Sequence, residues 1–159
     1  MLNKKGLFTI LLGFVGICLQ AQVKVSSPSG NLEVSVSANG NVNYSVALDG
    51  KSIFQENTLS LDLGDQVLGK DARLRDSSIK KVDETINPVV PLKYGTVRNY
   101  YNELTLKYRR YNIQFRVYDE GFAYRFVTSF NDSIEVKKED AMFYPSGEYT
   151  AHLQQTGSF

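Results

Sequence analysis

The sequence has no tryptophan, a single cysteine, a single histidine and four prolines in 159 residues. Each scarcity closes a class of function. Cys18 lies in the first 21 residues, so a chain cut after Ala21 has no disulfide and no thiol chemistry, and its stability must come from packing. One histidine, His152, provides neither the base-plus-nucleophile of a catalytic triad nor the several ligands of a zinc site. It reads as a surface residue of a polar tail. No surplus of either charge is present: 18 Lys and Arg face 17 Asp and Glu, a net +1 that becomes −1 once Lys4 and Lys5 are removed. Nucleic acid is therefore excluded as a partner, because phosphate neutralisation needs an excess of cations. Beyond residue 23 no amphipathic helix, internal repeat or low-complexity tract occurs.

The N-terminus is the exception to this evenness. Lys4-Lys5 precedes an apolar run from Leu7 to Leu19, then Gln20-Ala21-Gln22. A basic start, a short apolar stretch and a small residue form an export signal. The run is too short to span a membrane comfortably, which takes about 20 residues. We place the signal peptide at 1–21 and the folded domain at 22–159, exported to the periplasm and free of membrane once processed. Lipid anchoring through Cys18 is the lesser alternative, because the residue before it, Ile17, is not small.

What is present is alternation. Leu32, Val34 and Val36 alternate with polar residues, as do Val42, Tyr44, Val46 and Leu48. Side chains of a strand have period two, so each set lines one face. Asn39-Gly40 between them predicts a tight primed turn, making residues 31–48 a hairpin. Asp49-Gly50 supplies a second turn leading to a strand at Ser52–Gln55, and another strand follows at Leu59, Leu61 and Leu63. Residues 64–77 read as a loop with a short strand, and 79–85 as a strand. Pro88 and Pro91 then interrupt the chain. Leu104, Leu106 and Tyr108, then Ile113, Phe115 and Val117, then Phe122, Tyr124 and Phe126 form three alternating faces, the last two joined at Asp119-Glu120-Gly121. Short strands are expected at Ile134–Val136 and at Met142-Phe143-Tyr144. Eight or more strands divided by turns predict an all-β antiparallel sandwich. After Pro145 no closing strand is legible, and we expect a chain cut from something longer, with its sandwich incomplete at the C-terminal end.

Catalytic groups are scarce. Glycosidases use two carboxylates. The adjacent pairs Asp119-Glu120 and Glu139-Asp140 would point to opposite strand faces or to water. Lys80-Lys81, Arg109-Arg110 and Lys137-Lys138 read as solvent faces and edge protection. Tyr94, Tyr100, Tyr101 and Tyr111 are candidates for stacking on sugar rings, but the same positions suit the wet end of a sandwich core. We assign no catalytic residue, no metal ligand and no cofactor to this chain.

The order of motifs carries more than any one motif. Ser27-Pro28-Ser29-Gly30-Asn31-Leu32-Glu33-Val34 is followed by Asn43-Tyr44-Ser45-Val46 and Leu48-Asp49-Gly50-Lys51. Then come Asn102-Glu103-Leu104-Thr105 and the run Phe115-Arg116-Val117-Tyr118-Asp119-Glu120-Gly121-Phe122-Ala123-Tyr124-Arg125-Phe126. Over residues 23–159 this series resembles the N-terminal domain of glycoside hydrolase family 97, whose members include exported bacterial α-glucosidases and α-galactosidases. One departure is visible. The family's Ser-x-Leu-Gly-Leu stretch reads Thr58-Leu59-Ser60-Leu61 here, with Ser60 in place of Gly.

The resemblance implies a β-sandwich of the super-sandwich type packed on a (β/α)8 barrel. In the family the barrel holds the catalytic carboxylates and most ligands of a calcium ion, and one calcium-binding Glu comes from the sandwich side. No position here matches that Glu; Glu148 is merely the nearest acid. The implied function is a non-catalytic domain that packs on the barrel and helps shape the site for an α-linked glucan or galactoside. The alternative is a stand-alone secreted sandwich that binds polysaccharide or a protein partner.

Overall fold

A computed structural model describes residues 22–90 and 95–150. Ten strands are present among them: β1 (Gln22–Ser26), β2 (Leu32–Ser37), β3 (Asn43–Leu48), β4 (Lys51–Asp62), β5 (Val67–Leu68), β6 (Asp76–Ile86), β7 (Val97–Lys107), β8 (Tyr111–Val117), β9 (Phe122–Thr128) and β10 (Lys138–Ala141). They form two antiparallel sheets. One runs β1-β2-β3-β4-β10, with β5 also on β4; the other runs β6-β7-β8-β9. The expected antiparallel sandwich is present. The signal segment 1–21, Pro91, Tyr94 and His152 lie outside the described residues.

Alternation puts one face of each sheet inward. Val34, Val36, Tyr44 and Val46 from the first sheet meet Leu104, Leu106, Ile113, Phe115 and Val117 from the second, and all are buried in one cluster. At roughly 1.5–3 kcal/mol for each large apolar side chain removed from water, this cluster dominates the fold's stability. A buried phenol and a half-buried amide also tie the sheets together. The Tyr108 hydroxyl donates to the Ala38 carbonyl at 3.0 Å, and Asn102 Nδ2 donates to the Ser26 carbonyl at 2.8 Å. A smaller cluster of Leu61, Leu63 and Leu68 is capped by Tyr111, Phe126 and Phe130.

The turns divide differently from expectation. Ser37 pairs with Asn43, so the Asn39-Gly40 connection has five residues and is not a tight turn. Its tip is instead pinned by residues 72–74. Gly40 and Ala72 exchange backbone hydrogen bonds of 2.8 and 2.7 Å, and Asn39 Oδ1 accepts from Leu74 N–H. The two-residue primed turn is Asp49-Gly50. Leu48 pairs directly with Lys51, and the two turn residues have φ of 49° and 76°.

Three further expectations are corrected. The strands foreseen at 52–55 and 59–63 are one strand, β4, which changes partners. Residues up to Thr58 pair with β3 through two register shifts, and Leu59–Asp62 lie between β5 and β10. Ile134 and Val136 form no strand and are exposed, because among the described residues no neighbouring backbone pairs with them; the strand starts at Lys138. Met142-Phe143-Tyr144 is not a strand either. It is held to β4 by single contacts: Gln55 N–H donates to Tyr144 O, and Tyr144 N–H donates to Asn57 Oδ1. Strand β1 was not foreseen.

Candidate functional site

The two motifs at the ends of the resemblance meet in space. Ser29 donates to Asp119 Oδ1 from its backbone N–H at 2.9 Å and from its hydroxyl at 2.7 Å, across 90 residues of sequence. Ser27 completes the loop by donating to Asn31 Oδ1 and accepting from Leu32 N–H. These donors, the Ser29 N–H first, hold the Asp119 carboxyl below the usual carboxylate range. Asp119 is therefore a latch between the two sheets. Its neighbour Glu120 belongs to the four-residue turn closed by the Tyr118 N–H bond to Gly121 O.

The other adjacent acids are also placed structurally. Glu139 Oε1 accepts from the Tyr124 hydroxyl at 2.8 Å, and Asp140 accepts from Lys138 and from the Ser60 hydroxyl. Burial first, then that carboxylate, pushes the Tyr124 phenol well above its ordinary range. Ser60, the departure from the family's Gly, thus contributes a contact to β10. Among the described residues the best-shielded ion pair is Arg116 with Glu103 at 2.8 Å on the outer face of the second sheet. Among the described residues no three His, Cys, Asp or Glu side chains come together as a cation site.

The three tyrosine candidates among the described residues are already occupied. Tyr101 is 4% exposed, and Arg116 lies 4.8 Å from its ring centre. Tyr111 stacks on Tyr108 at 4.6 Å and 12°, and its hydroxyl accepts from Gly69 N–H. Tyr100 is half-buried, with Arg98 at 4.2 Å and Lys81 at 5.1 Å from its ring centre. These three rings serve packing and cation contacts, although Tyr101 lies on the outer face of the second sheet with Arg116 and not at the end of the core.

An aromatic series that sequence reasoning did not single out runs from the core to the surface. Tyr44 meets Phe122 at 5.6 Å, Phe122 meets Phe54 at 6.4 Å, and Phe54 meets Phe143 at 5.9 Å. Phe143 is 55% exposed, and Met142 and Tyr144 beside it are exposed too. A cleft of about 380 Å³ lined by Leu32, Leu48, Ile53, Phe54, Phe122 and the Asp119-Glu120-Gly121 turn opens next to this series. The apolar period of β3 and β9 accounts for Tyr44 and Phe122, but nothing local in the sequence sets Phe143 beside Phe54.

Two antiparallel sheets around one apolar core, clamped at one end by Ser29 and Asp119, define a β-sandwich domain. The family described as Glycosyl-hydrolase 97 N-terminal matches residues 25–159, and the chain belongs to it. A retaining alpha-galactosidase from Bacteroides thetaiotaomicron is 33% identical over 154 residues, which is 94% of this chain and 23% of that protein. A beta-arabinopyranosidase structure superposes with a TM-score of 0.68 at 25% identity, covering 76% of this chain and 21% of that one. A glycoside hydrolase family 97 enzyme from Pseudoalteromonas sp. strain K8, solved with panose, gives 0.63 at 20% identity over 74% of this chain and 20% of that one, a likeness of fold alone. The chain thus spans less than a quarter of the relatives it matches.

Proposed function

We propose that this chain is the non-catalytic N-terminal sandwich of an exported glycoside hydrolase of the α-galactosidase or α-glucosidase type. One observation carries the reading. The N-terminal family matches residues 25–159, while the galactosidase relative is about four times as long. In this reading residues 1–21 direct export to the periplasm. The domain packs on a catalytic (β/α)8 barrel of the same polypeptide and helps shape the mouth of the sugar site. Calcium belongs to the assembled enzyme. The exposed Phe143 end is suited to such packing, since a contiguous apolar surface with an ordered backbone beneath it favours a protein neighbour over water.

The test has two parts. The reading frame beyond Phe159 should continue into a barrel. That longer polypeptide should hydrolyse a nitrophenyl α-galactoside, α-glucoside or β-arabinopyranoside, and residues 22–159 alone should hydrolyse none. Saturable turnover by residues 22–159, or a frame that closes at Phe159, overturns the proposal.

A further inference from the structure

We propose that the outer edge of β9 receives a further β-strand, supplied by a later part of the same polypeptide. The proposal rests on the reading of the chain as the first part of a longer glycoside hydrolase. Register fixes which groups are free. Ser129 N–H donates to Arg110 O, and Tyr118 N–H donates to Gly121 O. Both contacts belong to the register that pairs Tyr111 with Thr128 through Val117 with Phe122. Hydrogen-bonded pairs alternate along an antiparallel ladder. Ala123, Arg125 and Val127 therefore bond to β8, and the N–H and C=O groups of Phe122, Tyr124 and Phe126 point away from it. Among the described residues, no backbone group pairs with that outer side.

The side chains point the same way. On β8, Ile113, Phe115 and Val117 are fully buried, whereas their partners Phe126, Tyr124 and Phe122 are half-buried. The core ends abruptly at β9, leaving three large inward-facing rings without cover on one side. An edge left to water normally carries charge, proline or a bulge. Strand β6 has five charged residues in eleven and β10 has three in four, but β9 (FAYRFVT) has Arg125 alone and no proline. Its composition is that of an interior strand.

Two observations favour a strand of the same polypeptide over a second copy. The relatives extend far beyond the matched part: this chain spans 23% of the galactosidase and 21% of the arabinopyranosidase. The last described contacts of the chain also run along β4 opposite β9: Pro145 bridges to Phe54, whose ring lies 6.4 Å from that of Phe122, and Ser146 N–H donates to Ile53 O. A strand added there would give the three free N–H groups partners and cover the three rings.

Amide hydrogen exchange, resolved residue by residue, tests this on the present chain and on the polypeptide read past Phe159. In the present chain Ala123, Arg125 and Val127 should exchange slowly and Phe122, Tyr124 and Phe126 rapidly. In the longer polypeptide the latter three should slow by about a hundredfold or more, as local opening becomes costly. Rapid exchange of the three in the longer polypeptide overturns the proposal, as does slow exchange in the dilute present chain. Slowing that disappears on dilution assigns the edge to a second copy and also overturns it. Sugar hydrolysis by the longer polypeptide reports on the parent reading separately. An active enzyme with rapidly exchanging β9 amides would sink the added strand and leave the proposed function standing.

Discussion

Gly69 sits where a single methyl group meets two separate obstacles. Its φ is +83°, and a Cβ built there would overlap the Leu59 carbonyl oxygen, a backbone atom that cannot swing aside. The same residue accepts from Val42 N–H and donates to the Tyr111 hydroxyl, so any shift that relieves the overlap strains both bonds. Gly50 provides the control. Its φ is +76°, but open space surrounds the position a Cβ would take. Placing an alanine in the left-handed region costs about 1–2 kcal/mol, and this should be the whole effect of Gly50→Ala. Gly69→Ala adds a steric term of roughly 1–3 kcal/mol, typical of overpacking in a filled site, for about 2–5 kcal/mol in all. Domains of this kind are stable by only about 5–15 kcal/mol. Urea unfolding of the two variants beside the parent chain measures the difference from the midpoints at a common slope. If Gly69→Ala loses no more than Gly50→Ala, the contact with Leu59 does not constrain the loop, and the reasoning fails.

Acid should release the latch. Asp119 holds its proton less tightly folded than unfolded, so its contribution is complete above the ordinary carboxylate value of 3.8 and is lost as pH falls through the lower folded value. Asp119→Asn should flatten that part of the acid limb of a stability profile and leave the alkaline limb unchanged. Burial pushes the Tyr44 phenol up to about 12, so the unfolded chain releases that proton from about pH 10 while the folded chain keeps it. Stability should therefore decline between pH 10 and 12, and Tyr44→Phe should weaken the decline, followed by tyrosinate absorbance against circular dichroism. Asn57, fully buried, donates to Gln55 O and accepts from Tyr144 N–H. Asn57→Ala should cost about 1–3 kcal/mol and speed proteolytic cleavage near Met142; unchanged cleavage would mean that this segment is held by other contacts.

The strands legible in the sequence are those whose alternation is uninterrupted. Leu104–Tyr108, Ile113–Val117 and Phe122–Phe126 were readable because every second residue is large and apolar, and each pairs with its sequence neighbour. Strand β4 reads as two strands because Asn57, a buried polar residue, breaks the pattern where the strand passes from β3 toward β5 and β10. Strand β1 offers only Val23 and Val25 in five residues directly after the expected cleavage point. Ile134-Glu135-Val136-Lys137 has the right period and still forms no strand, because alternation describes a face and not the availability of a partner. The Phe54–Phe143 contact is the same problem at longer range. Residues 89 apart carry no local sign that they meet.

The latch explains why the family resemblance was strong where the chemistry was weak. Ser27-Pro28-Ser29-Gly30 and Asp119-Glu120-Gly121 stand out as motifs because turns demand particular residues, and in space they are one junction between two sheets. In this chain, two of the motifs that carry the resemblance are therefore ones that fix how the sheets close. A junction of that kind specifies packing and requires no reacting group. That is why a chain can be 33% identical to a galactosidase over 154 residues and still, among its described residues, commit its adjacent acids to a latch, a tyrosine hydroxyl and a lysine. Both proposed contacts therefore rest on surfaces other than these acids, the exposed Phe143 end and the outer edge of β9.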